Sequence, residues 1–477
     1  MSGPLLRRDS ENSVTIAVFS SATGRVRYHA RWVLPVTAPA IEHGTVITNG
    51  DRIEWVGARA QAPASDTPDR DLGEAILVPG LVNAHTHLDL TVMRGLLEEL
   101  PFFQWIRTLT GARAELKTDD LVASARLGVL EGLRAGITTF ADTAPAPAAF
   151  DVMRELGVRG IAYREVFGPD PRSASASLDD LRRAVRAMRT YQTPLVRVGV
   201  SPHAPYSVSD ALFTGVAAYA AEQDLPVAVH VAESMDEEDL IANGAGSYAA
   251  FLHGRKIDVA PRARTSIALL QRTGILDRQA LLIHCVRVDH ADIQLIAGHG
   301  CGVAHCPASN AKLGHGVAPL AAMIESNVHV GLGSDSMASN NRMDLLAEAR
   351  LAVLAARALA RRDSLLDARR ALELATIDGA RALGMGGMIG SLEVGKQADL
   401  AAFNLPAECQ PVYEPCDALV WALAGAAASC VVVAGRERVR DGVVIGADVV
   451  AAAARVNETA VRLAAWKLAR ACSTDAR

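Results

Sequence analysis

From about residue 75 to 360, short apolar, β-rich runs alternate with longer stretches in which apolar residues return every three or four positions, the pattern of βαβ units around a parallel sheet. Eight such runs can be counted: AILVPGLVNAH (75–85), ITTFAD (137–142), RGIAYREVF (159–167), VRVGVSPH (196–203), PVAVHVAE (226–233), ALLIHC (280–285), GVAHC (302–306) and HVGLGSD (329–335). Helical segments between them have readable starts, with Thr118, Ser177 and Ser209 as N-caps ahead of acidic first turns. Gly136 and Gly157 stand where helix C-caps belong. Eight parallel strands with intervening helices are the count that closes a (β/α)8, TIM-like barrel, so an α/β barrel over 76–387 is preferred to an open doubly wound sheet.

The texture differs outside that region. Residues 26–75 and 388–448 read as strands and turns without a helical period, as if both chain ends contributed halves of one small β domain. Residues 1–25 read as a flexible extension, and 449–477 as a terminal helix and tail.

Composition narrows the partners. A chain of 477 residues with 50% apolar content can bury a large core, and a formal charge of −5 gives no broad basic field for nucleic acid or an acidic membrane surface. A small-molecule substrate is expected. Seven cysteines, an odd number with no CxxC pair, suit reduced thiols in the cytoplasm. No run of about 20 apolar residues suggests a membrane span, and TIAVF after Arg7 and Arg8 is too short for a signal sequence.

Active sites of such barrels gather at the C-terminal ends of the strands. Metal-type residues fall there repeatedly: His85 and His87 on the first run, His203 on the fourth, His230 and Glu233 on the fifth, His284 on the sixth and Asp335 on the eighth. Taken singly, His203 or His284 reads equally as a core histidine, and Asp335 as a helix N-cap. The pair in HTH is different, because two imidazoles on one strand face are costly to bury without a cation or hydrogen-bond partners. The stretch 284–316 alone holds five histidines. Of these, His290 and His299 flank a helical segment and read as solvated, while His305 and His315 read as structural or as supports of the site, with substrate contact as the second reading.

The set PGLVNAHTHL, SPHAPYSVS, HVAES, HCV, HCPASNAKLGHG and GLGSDSMASNN resembles the amidohydrolase superfamily. The similarity runs from about residue 26 to 445 and is to the branch holding S-adenosylhomocysteine and 5'-methylthioadenosine deaminases, aminodeoxyfutalosine deaminases and triazine hydrolases. It implies a metal-dependent hydrolase barrel joined to a β-sandwich built from both chain ends, with GKQADL leading into that sandwich. It also implies one divalent ion held by His85, His87, His230 and Asp335, with zinc expected and iron(II) or manganese(II) as alternatives. Glu233 then matches the proton shuttle and His284 the histidine that orients the attacking hydroxide, so Glu233, His284 and Asp335 form the catalytic set. His203 and Arg164 match substrate-binding positions. Trp105 lies in a segment resembling the family's lid and reads either as a wall of the pocket or as packing against Phe102 and Phe103.

One departure and one exclusion sharpen these expectations. Where the nucleoside deaminases carry a ribose-binding glutamate, this chain has Ala114, with Glu115 beside it. No lysine occurs between Lys117 and Lys256, so a carboxylated lysine cannot bridge two ions; Glu165 is the one acidic alternative, and a single ion is expected. The implied reaction is hydrolytic deamination of a 5'-substituted adenine nucleoside. Guanine-like, triazine or other amidine-type rings are the second reading, and a non-catalytic scaffold the third, disfavoured because every ligand and the glutamate are present. A dimer or tetramer is expected from the family.

Overall fold

The computed structural model describes residues 24–64 and 68–474. The expected extension over 1–25 lies outside them except for its last two residues, and the tail 475–477 lies outside them entirely. The chain begins with an antiparallel meander, β1 (Arg25–Val33), β2 (Ile41–Asn49) and β3 (Arg52–Ala58), to which β4 (Asp69–Asp71) and β5 (Ala75–Pro79) add parallel to β1. One residue later β6 (Leu81–His87) starts a different sheet. The run expected as one strand over 75–85 is therefore two. The break falls at Gly80, whose N–H donates to the Asp399 carbonyl at 2.9 Å and where any Cβ would lie 2.2 Å from Thr138 Oγ1.

The parallel part follows. β6 is followed by β7 (Ile137–Ala144), β8 (Arg159–Val166) and β9 (Val196–Pro202) in one ladder, and β10 (Ala228–Val231), β11 (Leu281–His284), β12 (Gly302–His305) and β13 (His329–Leu332) form a second. Both are parallel throughout. A bridge between Val200 and Val227 links β9 to the segment entering β10. On the other side the two-residue β14 (Asp335–Ser336), just beyond β13, pairs with the end of β6. Val82, Ala84, Ala141, Ile161, Tyr163, Ala228, Leu281, Ile283 and Ala304 form one buried cluster between the two ladders. The alternate residues of the same strands, such as Leu81, Phe140, Ala162, Val229 and Val303, face the surrounding helices. The near-continuous apolar runs are what strands buried on both faces require.

Beyond the last helices, β15 (Leu400–Asn404), β16 (Cys430–Val433), β17 (Arg436–Arg440) and β18 (Val443–Val444) return to the first sheet, where β15 pairs with β5. Both chain ends thus meet, as expected, but the ladders join them in one nine-stranded sheet. Its alternation serves two cores: Ile76, Val78, Phe403 and Val431 pack toward the parallel part, while Leu77, Leu400, Ala402 and Val432 pack with Tyr28, Val33 and Val46. One buried ion pair ties the units together. Arg159, at the start of β8, makes a bidentate pair with Asp399 of GKQADL at 2.7 and 3.0 Å, both side chains almost wholly buried.

The helix starts are only partly as expected. Ser209 is the N-cap residue of Asp210–Gln223, but the helix Thr118–Arg134 is capped from Lys117, whose N–H donates to the Asp120 carboxylate, and Ala174–Arg189 begins before Ser177. Gly157 caps with φ 62°, and Gly136 follows its cap with φ 85°. The terminal helix Val449–Thr474 lies over the lid segment. Val456 and Leu463 pack with Met93, Leu97, Trp105 and Ala112, and Asp120 receives Thr459 at 2.9 Å and Arg462 at 2.6 Å.

Candidate metal centre and active site

Three histidines converge above the strand ends. The His85 ring lies 4.8 Å from His87 and 4.9 Å from His230 between centroids, and the His87 and His230 rings are nearly parallel at 5.2 Å. Hydrogen bonds fix their tautomers. His87 Nδ1 faces the Thr143 carbonyl at 2.7 Å and His230 Nδ1 faces the His203 carbonyl at 3.1 Å; a carbonyl only accepts, so both Nδ1 atoms carry the proton. Each Nε2 is then a bare lone pair, and the two sit 3.2 Å apart. Neither ring nitrogen of the fully buried His85 has a hydrogen-bond partner among the described residues. Asp335 Oδ1 closes the set at 3.3 Å from His85 Nε2 and 3.7 Å from His87 Nε2. Lone pairs crowded together out of water are stable only around a cation, and three imidazoles with one carboxylate suit zinc or a similar divalent ion.

Asp335 and Glu233 are both buried acids with opposite properties. Burial pushes Asp335 upward, but His85, His284 and His87 outweigh it and hold the carboxyl well below the usual range. Its oxygens accept from Ser309 Oγ at 2.5 Å, Ser339 Oγ at 3.2 Å and the Ser336 N–H at 2.6 Å. For Glu233, burial comes first and the charges of Asp335 and Glu237 add to it, so its carboxyl lies well above the ordinary value. Its Oε1 is 3.4 Å from His284 Nε2 and 3.5 Å from His315 Nε2. The turn bearing Glu233 is fixed by Glu237, which accepts the Ala232 N–H at 2.8 Å.

His284 is 1% exposed, and burial drives its pKa down to about 3. Its Nδ1 donates to Asn310 Oδ1 at 2.9 Å, which leaves Nε2 as a lone pair toward the centre. The strand exits are strained where the site needs it: Ala232, His284, Cys285 and Asp335 have φ of 52°, 75°, 46° and 54°. Gly333 lets the chain pass so close that a Cβ there would be 2.9 Å from His85 Cβ.

His203 lies just after β9, its Nδ1 2.7 Å from Ser207 Oγ and its ring 4.6 Å from the exposed Phe167. Arg164 shares the outward parity of Ala162 and Val166 on β8, and its buried Nη1 has no hydrogen-bond partner among the described residues. Trp105, 9% exposed, is packed in the lid core with Leu463, while Phe102 of the same helix puts its ring 4.3 Å from His315. Ala114 and Glu115 are exposed at the end of that helix, Phe102–Ala114. Of the remaining histidines in the stretch, His290 is exposed, His299 bonds the Leu295 carbonyl, and His305 is buried. Sequence reasoning does not single out Asn310, Ser309 or Glu237. Small polar residues and an acid in a helical first turn look like caps, and nothing in their spacing distinguishes these from the others.

Comparison with known proteins matches residues 76–450 to the amidohydrolase family. The chain is 34% identical to a 5-methylthioadenosine/S-adenosylhomocysteine deaminase of Moorella thermoacetica over 413 residues, 85% of this chain and 91% of the other. A crystal structure of an adenosine deaminase from Xanthomonas campestris with bound zinc superposes with a TM-score of 0.82 at 29% identity, covering 93% of this chain and 99% of that one. A zinc-complexed atrazine chlorohydrolase from Arthrobacter aurescens gives a TM-score of 0.78 at 25% identity, covering 91% and 100%.

Proposed function

Because this chain belongs to the amidohydrolase family, we propose that it is a metal-dependent hydrolytic deaminase, exchanging an exocyclic amine on a purine-type ring for an oxo group and releasing ammonia. The observation that carries the reading is the pair of bare Nε2 lone pairs of His87 and His230, 3.2 Å apart and flanked by His85 and Asp335. These four residues would hold one divalent ion, zinc in keeping with the zinc-bound relatives, with iron(II) or manganese(II) as alternatives. When bound, such an ion polarises water so that hydroxide is available at neutral pH.

The chain's own groups account for the proton movements. His284 Nε2, fixed by Asn310, accepts a hydrogen bond from the attacking oxygen and orients it. Glu233, kept protonated by burial, gives its proton to the ring nitrogen beside the reacting carbon. It then takes the proton of the incoming oxygen and passes it to the exocyclic nitrogen. A C–O bond forms, the C–N bond breaks, and ammonia leaves with the oxo product behind. His203 is assigned to substrate contact and Trp105 to the lid that covers it, while Arg164, expected at the same contact, has the outward parity of β8.

Adenine nucleosides substituted at the 5' position are the preferred substrates, supported by the 34% identical deaminase. The likeness to the atrazine chlorohydrolase supports a second reading on triazine or other amidine-type rings. We read the two parallel ladders as one (β/α)8 barrel over 76–387, supported by the Val200–Val227 bridge on one side and the β14–β6 pairing on the other. The chain-end strands, 26–75 and 388–448, form its companion β-sandwich domain, folded from the one nine-stranded sheet, with 449–477 as helix and tail. A cytoplasmic homo-oligomer, dimer or tetramer, acting on a small molecule without nucleic-acid or membrane partners completes the proposal. In keeping with it, no helix among the described residues is long and apolar enough to cross a membrane.

The test is metal analysis of the purified protein together with ammonia release from methylthioadenosine, adenosylhomocysteine, aminodeoxyfutalosine, guanine and triazines. About one zinc, iron or manganese per chain and turnover of a 5'-substituted adenosine are expected, abolished by chelation and restored by the metal. Full activity after complete chelation would sink the proposal.

A further inference from the structure

Resting on the deaminase reading, we propose that Glu165 is a specificity-determining residue whose carboxylate accepts a hydrogen bond from an O–H or N–H donor on the part of the substrate away from the reacting C–N bond. Strand geometry comes first. On β8, Ile161 and Tyr163 belong to the interior cluster, so the period-two alternation turns Glu165 inward toward the site, while Arg164 shares the parity of Ala162 and Val166 against the helices. Glu165 is 6% exposed, and its buried Oε1 has no hydrogen-bond partner among the described residues. A buried carboxylate oxygen left this way costs free energy unless something in the functional state satisfies it. Of the two arginines close enough to be felt, Arg113 is committed to Asp89 at 2.6 Å and Arg164 has the opposite strand parity.

Position identifies what could do so. A Glu165 oxygen and ring nitrogens of His203 and His230 all lie within 4.8 Å of one another, so the carboxylate borders the space in front of the metal ligands. A second ion there is poorly served. His230 Nδ1 is bonded to the His203 carbonyl and its Nε2 belongs to the cage, while His203 Nδ1 is taken by Ser207, so only Glu165 and His203 Nε2 remain. Two donors do not make a cation site, but a carboxylate and an imidazole lone pair make a hydrogen-bonding edge. Both are acceptors when the carboxyl is ionised: Ser207 Oγ donates to the Ala204 carbonyl at 3.2 Å and so accepts from His203 Nδ1, which leaves His203 Nε2 a lone pair. The matching ligand chemistry is a donor pair. Two sources carry it: the hydroxyls of a sugar, or ring N–H groups of a free base.

The experiment compares wild type, E165Q and E165A, each with its metal content measured. The substrates are methylthioadenosine, its 2',3'-dideoxy analogue, and guanine as the ring N–H case. With metal content unchanged, E165A should lose about 10- to 100-fold in kcat/KM on the donor-bearing substrate, the usual worth of a hydrogen bond to a charged group. It should lose almost nothing on the substrate that lacks the donor. Loss confined to the diol assigns the sugar, and loss on guanine assigns the ring; either supports the contact. Equal loss on donor-bearing and donor-lacking substrates, or no loss on any, overturns it. E165Q preserves the side-chain shape if E165A folds poorly. Calorimetric binding of the same compounds keeps the two readings apart. A wild type that releases no ammonia from any of them refutes the deaminase reading, whereas compounds bound equally by wild type and E165Q refute the Glu165 contact.

Discussion

Replacing Asn310 by Leu removes the hydrogen bond that fixes the His284 ring, the 2.9 Å contact from Nδ1 to Oδ1, and nothing that touches the metal ligands. The bond does two things. It holds the ring in place in a site where His284 is 1% exposed, and it puts the proton on Nδ1 so that Nε2 stays a lone pair 3.4 Å from Glu233. A neutral hydrogen bond is worth about 0.5–1.5 kcal/mol net, so its loss shifts the balance between the two tautomers by up to about tenfold. Disorder of the ring adds to that, up to the roughly 10²–10⁴-fold that a positioned acid or base contributes. We expect N310L to keep its metal and its KM within about threefold and to lose about 10- to 100-fold in kcat, because the lost interaction matters as the nucleophile attacks and not as substrate binds. N310D retains an acceptor and should retain more activity than N310L. The measurements are kcat and KM from ammonia release, with metal per chain and far-ultraviolet circular dichroism as controls. A folded, metal-replete N310L with wild-type kcat would show that His284 needs no fixed tautomer.

Three further outcomes are expected. E233Q should bind the ion normally, measured as metal per chain, and lose about 10²–10⁴-fold in turnover, since an amide cannot carry the proton. R159M should lower stability by about 3–5 kcal/mol in urea titrations, because it strands the buried carboxylate of Asp399; an R159M/D399L double variant should recover part of this. D120N should cost about 1–3 kcal/mol at neutral pH through the lost bonds to Lys117, Thr459 and Arg462, with the half-exposed arginines adding little. Its pH course has a defined sign. Burial raises the Asp120 carboxyl, but the Lys117 N–H, Thr459 and Arg462 outweigh this and hold it below 3.8, so its stabilisation is present above that value and is lost as pH falls through the folded pKa. Wild type and D120N should therefore converge in acid, and a gap that persists there would mean packing, not charge, carries the effect.

The alternation of apolar runs and helical periods identified the parallel strands because burial on both faces leaves a strong compositional mark. It merged β5 with β6 because the break is a local matter: both are equally apolar, and only the close approach of Gly80 to Thr138 separates them. Of the proposed metal ligands, His85 and His87 were legible because a histidine pair on an apolar strand is too costly to bury unless a cation or hydrogen-bond partners satisfy it, whereas His230 and Asp335 were named as ligands only through the resemblance. Asn310, Ser309 and Glu237 were not, since their roles arise from side chains brought together across 26 residues of chain for Asn310 and Ser309, and from a backbone turn with Ala232 at φ 52° for Glu237. Arg164 and Glu165 show the limit most clearly. Adjacent positions in a strand point to opposite faces, so a resemblance that selects the strand end still leaves a choice between neighbours, which the interior parity of Ile161 and Tyr163 resolves in favour of Glu165 as the inward one.

Three buried acids in one site are shifted differently, and the difference lies in the charges around them and not in their depth. Asp335 and Glu233 are 6% and 5% exposed, so desolvation penalises both. Asp335 faces the imidazoles of His85, His284 and His87, which hold its carboxyl well below the usual range. Glu233 sits beside two other carboxyls, so it keeps a proton to give. Glu165, pushed up by burial and drawn back by His87 and Arg113, comes to about 7, between the two. The proposed proton transfer needs the two held apart at one pH, and the imidazoles of His85, His284 and His87 do so on one side, burial with the charges of Asp335 and Glu237 on the other. A hydroxyl donor given to Glu233 would lower its carboxyl against the burial and the neighbouring charges that raise it.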